Sequence, residues 1–132
     1  MDYFLYKFNI SKKDQKRLKL IDNFYKEKIN SKSFSLDKMN KIFYYHGKQT
    51  VIDILNYRII KYRRLDETLI DMITLFKNKN KPIMPVNADL LMAKYDIPEG
   101  KELGIKLKSI EQEWVNNNFK ISDQQIDNII NN

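Results

Sequence analysis

At 132 residues, 42% hydrophobic and 12% aromatic, the chain is long enough for one core and too apolar to be a disordered segment, so it is one domain or a piece of a larger protein. It has no cysteine, which excludes disulfides, thiolate metal sites and cysteine nucleophiles and fits a reducing, cytoplasmic location. Only three glycines and three prolines argue against a turn-rich β fold and against Gly-rich phosphate loops, leaving all-α as the expected class.

The net charge of +7 is unevenly placed. Residues 1–81 carry 19 Lys and Arg against 9 Asp and Glu, a net of +10, whereas residues 82–132 carry 5 against 8, a net of −3. A basic half of this kind suits a polyanion, and a nucleic acid or an anionic membrane surface would both serve; solvated lysine faces are the plain alternative.

The apolar run Tyr3 to Phe8 is too short to span a bilayer and is interrupted by Lys7, so neither export nor anchoring is expected. Ser11 is placed to cap a helix reaching about Ile29, with Leu18, Ile21 and Tyr25 on one face and Leu20 and Phe24 beside it. Its other face carries Lys12, Lys13, Lys16, Arg17 and Lys19. Cations in a first helical turn oppose the helix dipole, so Lys12 and Lys13 suggest a nearby anion such as phosphate. Asn30 to Ser35 reads as a polar connection, and Ser35 caps a short helix carrying Met39, Ile42 and Phe43 inward and ending at His46-Gly47. His46 is the only histidine. Without a second one, a cysteine or carboxylates at ligand spacing, a capping role is favoured over a metal or catalytic one.

From Lys48 to Tyr62, the positions Val51, Leu55, Ile59 and Tyr62, widened by Ile52, Ile54 and Ile60, describe a central helix buried on much of its circumference. Arg58, Lys61, Arg63 and Arg64 cluster at its end and hold all but one of the chain's arginines. Arginine matches phosphate bidentately, which makes this the best single patch for an RNA backbone; dipole compensation and ion pairs with Asp66 and Glu67 are the alternative. Leu65, Leu69, Met72, Ile73 and Phe76 form a further amphipathic helix, and KNKNKP, Lys77 to Pro82, is a polar linker. Its position where the charge changes sign divides about seven helices into two packed subdomains of an irregular bundle, residues 1–81 and 82–132.

In the second half, Asn87 caps a short helix with Val86 and Leu91 as a hydrophobic staple, and Pro98 and Gly100 stop it after Tyr95 and Asp96. A longer helix follows with Leu103, Leu107, Ile110 and Trp114 along one face. Asn116 to Asn118 break it. Ser122 and Gln125 make a capping box for a last helix, stapled by Ile121 and Ile126, with Ile129 and Ile130 docking inward.

Three stretches together resemble the C-terminal part of the bacterial tRNA nucleotidyltransferase and poly(A) polymerase family. They are Asp89-Leu90-Leu91; Ile97-Pro98-Glu99-Gly100-Lys101-Glu102-Leu103-Gly104; and Leu107, Ile110 and Trp114. Gly47, Val51, Asp53 and Leu55 are similar to an earlier helix of that family, and Phe8-Asn9-Ile10-Ser11 to the segment joining it to upstream domains. Asp96 and Lys101 depart from the family's usual small residue and proline. The resemblance covers the family's helical C-terminal region only, and implies that a catalytic head lies outside this chain.

Nucleotidyl transfer of the family's type needs an Asp-x-Asp pair for two metal ions and a Gly-Gly or Gly-Ser segment for the triphosphate; neither occurs here. The expectation is therefore no catalytic residue, no metal ligand and no cofactor in this chain, the family's head being what uses Mg2+ and nucleoside triphosphates. The expected partners are tRNA or another RNA and a separately encoded catalytic head chain, and no membrane. Contact would be carried by Lys12, Lys13, Lys16, Arg17, Lys19, Lys48, Arg58, Lys61, Arg63 and Arg64. A helical protein-interaction domain or a non-functional gene remnant is the competing expectation.

Overall fold

A computed structural model of the chain describes residues 9–132, so the Tyr3 to Phe8 run and Phe8 of the family-like segment lie outside the described residues. The fold is all-α. Among the described residues there are seven α-helices and no strand: α1 (Lys12–Lys26), α2 (Leu36–His46), α3 (Lys48–Tyr62), α4 (Glu67–Lys77), α5 (Ala88–Tyr95), α6 (Lys101–Asn116) and α7 (Asp123–Asn131). They fall into two compact units, residues 1–81 and 82–132.

Helix starts follow local side-chain chemistry. The hydroxyls of Ser11, Ser35 and Ser122 and the side chain of Asn87 each accept a hydrogen bond from a first-turn amide. Gln125 completes a reciprocal box with Ser122. Helix ends are more varied. Gly47 separates α2 from α3 at φ 92°, an angle a side chain would strain. The α1 helix stops at Lys26, three residues short of Ile29, because Asn30 and Ser33 bind each other's backbone amides and wind Ser31–Phe34 into a 3-10 turn where a plain connection was expected.

In the first unit, α3 packs against α1, α2 and α4. Phe24, Met39, Phe43, Val51, Ile54, Leu55, Leu69, Ile73 and Phe76 form the core, with Tyr25, Ile29, Phe34, Ile42, Ile52, Ile59 and Met72 packed on it. The expected burial of α3 around much of its circumference holds only for its first half. Ile60 is 72% exposed and Tyr62 56%, so the last turn leaves the core behind. Leu65 lies outside any described helix and is 80% exposed, because Asp66 caps α4 and the helix begins at Glu67.

In the second unit, α6 packs against α5 and α7 around Val86, Leu91, Leu103, Ile110 and Ile126. Asp96 ends α5 in the left-handed region at φ 56°, which a short carboxylate side chain tolerates, and Gly100 opens α6 at φ 150°, where only glycine is unstrained. Gly104 is different: it sits inside α6 with ordinary helical angles and open space where a Cβ would stand. Gly104→Ala should therefore stabilise the chain by about 0.5–1 kcal/mol through backbone entropy and helix propensity. Leu91→Ala, which empties a fully buried position, should cost about 2–5 kcal/mol. Urea unfolding followed by helical circular dichroism would read both signs.

Candidate nucleic-acid interface

The ten basic residues singled out in the sequence do not share one fate. Arg17 is committed to the fold. Its Nε and Nη2 donate to Asp53 Oδ2 and Oδ1 at 2.9 and 2.8 Å, and Gln49 Nε2 donates to Oδ1 at 2.9 Å. Asp53 is buried, at 8% exposure, and this pairing is what makes its burial tolerable. Burial pushes the Asp53 carboxyl up, but the hydrogen bonds from Arg17 and Gln49 and the charge of Arg17 outweigh it and hold it below its ordinary value. Arg17 is raised by the same hydrogen bond and charge. The sequence puts Arg17 on a phosphate-binding face; in the fold its Nε and Nη2 are taken by a carboxylate of its own chain.

Lys48 is also occupied, donating from Nζ to the Lys77 carbonyl at 2.8 Å and so closing the free C-terminal end of α4. Lys12, Lys13, Lys16 and Lys19 are exposed along α1. Asp14 lies in the same first turn and partly offsets the dipole cost of Lys12 and Lys13, so those two lysines do not call for an external anion.

The remaining four collect at the end of α3. There the chain makes a Schellman turn: Arg64 N–H donates to the Ile59 carbonyl at 3.3 Å and Arg63 N–H to that of Ile60 at 3.2 Å. This turn places Arg63 at φ 48°, ψ 37°, the left-handed position that glycine or asparagine usually fills. Lys61, Arg63 and Arg64 are exposed and Arg58 is half-buried. Among the described residues none of the four forms an ion pair. Asp66, the alternative partner the sequence offers, forms no ion pair with them among the described residues; its Oδ1 accepts from the amides of Thr68 and Leu69 at the start of α4.

Aromatic rings are interleaved with these cations, a feature the sequence reading missed by assigning Tyr62 to the core. The Arg58 guanidinium lies 4.1 Å from the Tyr62 ring centre and 5.0 Å from that of Phe34. Lys61 Nζ stands 6.0 Å from the Tyr57 ring and 5.8 Å from Tyr62. The readable signal was the spacing: Tyr57 to Lys61 and Arg58 to Tyr62 are each four residues apart, hence neighbours on a helix surface. Behind them, Tyr25 packs against Tyr57 at 4.7 Å and donates its hydroxyl to the Ile54 carbonyl at 2.7 Å. A groove of about 350 Å³ opens beside the cluster, lined by Arg58, Ile59, Tyr62, Arg64, Asp66 and Leu69.

Among the described residues no group of three or more His, Cys, Asp or Glu side chains is placed to hold a metal ion. No described helix is long and apolar enough to cross a membrane. What the surface at the end of α3 offers chemically is positive charge, exposed guanidinium donors, aromatic faces and the Asp66 carboxylate.

Two predictions test this geometry. Because the Asp53 value is lowered in the folded chain, its pairing with Arg17 stabilises fully above the unfolded carboxyl range near pH 4, and that contribution fades as pH falls toward the lowered native value. Asp53→Asn should thus unfold at clearly lower urea than the parent chain at pH 7, with the gap narrowing below about pH 4. Arg63→Gly should raise stability by about 0.5–1 kcal/mol, since glycine removes the left-handed strain at a modest entropic cost. A thermal melt at matched ionic strength would show that sign.

Comparison of the chain with protein-family models, with curated proteins and with solved structures finds no match.

Proposed function

We propose that this chain is an RNA-binding helical module that grips the phosphate backbone of a tRNA, or of another structured RNA, while a separate polypeptide performs chemistry at the 3′ end. The observation that supports it most is the cation cluster at the end of α3, where Arg58, Lys61, Arg63 and Arg64 have no carboxylate partner among the described residues. One of them, Arg63, occupies a backbone position at odds with its side chain. Dipole compensation accounts for Lys61 in the last helical turn but not for arginines beyond the helix end. Arg63 and Arg64 stand on a turn closed by backbone hydrogen bonds to Ile60 and Ile59, and neither forms an ion pair among the described residues.

The resemblance of Ile97-Pro98-Glu99-Gly100, Leu103-Gly104 and the Leu107, Ile110, Trp114 face to the C-terminal region of tRNA nucleotidyltransferases and poly(A) polymerases narrows the proposal. On that reading the missing catalytic head adds CCA or poly(A), with its own Mg2+ and nucleoside triphosphate, in the cytoplasm. The exposed α1 lysines Lys12, Lys13, Lys16 and Lys19 would supply further phosphate contacts. Arg17 and Lys48 would not, being held by Asp53 and by the Lys77 carbonyl.

The test is binding of mature tRNA, tRNA lacking CCA and a plain RNA duplex across a salt series. The parent chain is compared with a variant in which Arg58, Lys61, Arg63 and Arg64 are all changed to Gln, which keeps the side-chain length. The parent should prefer tRNA, and the slope of log K against log salt should fall by about one for each removed charge that contacts phosphate. Equal weak binding to all three RNAs, with the same slope in the variant, would reject RNA gripping and leave a helical protein-interaction domain or a remnant.

A further inference from the structure

Backbone gripping needs only charge, yet the end of α3 carries more than charge. Tyr62 is 56% exposed and Tyr57 41%, both on the last turns of α3 and both beside cations. Burial does not account for these rings, and among the described residues neither makes a side-chain hydrogen bond. Tyr62 is nevertheless held in place, since the Arg58 guanidinium stacks on it at 4.1 Å and is itself backed by Phe34 at 5.0 Å. Phe34 is in turn fixed against Phe24, at 5.5 Å between ring centres, in the core of the first unit. An exposed aromatic ring presented on a rigid support is a surface on which a flat π system can stack without the ring paying for its own ordering.

The groove beside it limits what that π system is. At about 350 Å³ it is the size of a single nucleotide and too small to admit a duplex. Its lining is divided in character. Ile59 and Leu69 give an apolar floor, and Asp66 brings a carboxylate. A carboxylate repels phosphate but accepts from the imino or amino group of a base. Lys61 and Arg64, exposed next to Tyr62, attract phosphate. Together these features suit a nucleotide whose base faces the groove and whose backbone faces the cations.

We infer that the groove at the end of α3 is a site for one unpaired nucleotide of a single-stranded RNA segment, whose base stacks on Tyr62 while Lys61 and Arg64 hold the adjoining phosphates. This rests on the RNA-binding reading above and adds to it a preference for unpaired over paired RNA at this place. Duplexed bases, with both faces covered by their neighbours, have no face to offer Tyr62.

The experiment measures binding of oligouridylate and of a blunt RNA duplex to the full chain, to Tyr62→Leu and to Tyr62→Phe, each across a salt series. Uridine stacks poorly on itself, so a bare ring competes well for it. Phosphate contacts set the salt slope, whereas stacking sets the affinity that remains at high salt. The expected result is that Tyr62→Leu weakens oligouridylate binding roughly 5- to 100-fold at every salt concentration without changing the slope. Tyr62→Phe should match the parent, and duplex binding should be unaffected by either change. Because Tyr62 is largely exposed, neither variant opens the core, and unchanged helical circular dichroism verifies this. Equal binding of oligouridylate by the parent and Tyr62→Leu would overturn the nucleotide site; a salt-steep affinity for the duplex in the same series would leave backbone gripping intact. Failure of the parent chain to bind either RNA would overturn both.

Discussion

The first unit depends on one buried carboxylate. Asp53 sits on α3 among Val51, Ile54 and Leu55, and a charge there would be prohibitive without partners. Arg17 and Gln49 fill its acceptor sites, and because Arg17 comes from α1, satisfying Asp53 also fixes where α1 crosses α3. Apolar packing alone would tolerate small slips of α1 along α3; a bidentate pair does not. With α1 held, Tyr25 reaches the Ile54 carbonyl and supports Tyr57, and the connection after α1 delivers Phe34 to the flank of Arg58. The order of the surface at the end of α3 therefore traces back to an ion pair near its beginning.

That pair divides the chain's four arginines by role. Arg17 is spent inside the fold, while Arg58, Arg63 and Arg64 remain at one helix end. The division follows from where carboxylates are spent. Asp53 takes Arg17, Asp66 takes the first amides of α4, and Asp14 lies in the first turn of α1. Three of the four arginines therefore stand together at a helix end where none of them forms an ion pair among the described residues, which summing charges along the sequence does not reveal.

Much of the fold was legible because its signals are local. Ser11, Ser35, Asn87 and the Ser122–Gln125 box each act within one helical turn, and Gly47 and Asp96 do what their backbone freedom allows. The 3-10 turn at Ser31–Phe34 was also local, since Asn30 and Ser33 stand at capping-box spacing, but Ser33 is a less usual partner in that role than Glu or Gln. What was not legible was tertiary. An apolar period marks Val51, Leu55, Ile59 and Tyr62 as one face, but only the neighbouring helices decide how far along that face the core extends. Likewise nothing in the spacing of Arg17 and Asp53, thirty-six positions apart, announces that one will occupy the other.

The same distinction weighs the candidate site. Where a residue agrees with local rules, the fold suffices to explain it: Lys61 in a last helical turn complements the dipole, and Asp66 before a helix caps it. Where a residue contradicts them without a compensating contact, the fold does not explain it. Arg63 bears left-handed strain that a glycine would relieve, and Tyr62 keeps an aromatic ring largely in solvent, held against Arg58 of the same helix and not against the core. Both stand on the same turn, and Tyr62 lines the groove beside it. One departure of backbone and one of burial thus meet at the turn where four cations form no ion pair among the described residues, which is what singles out the end of α3 for the binding tests.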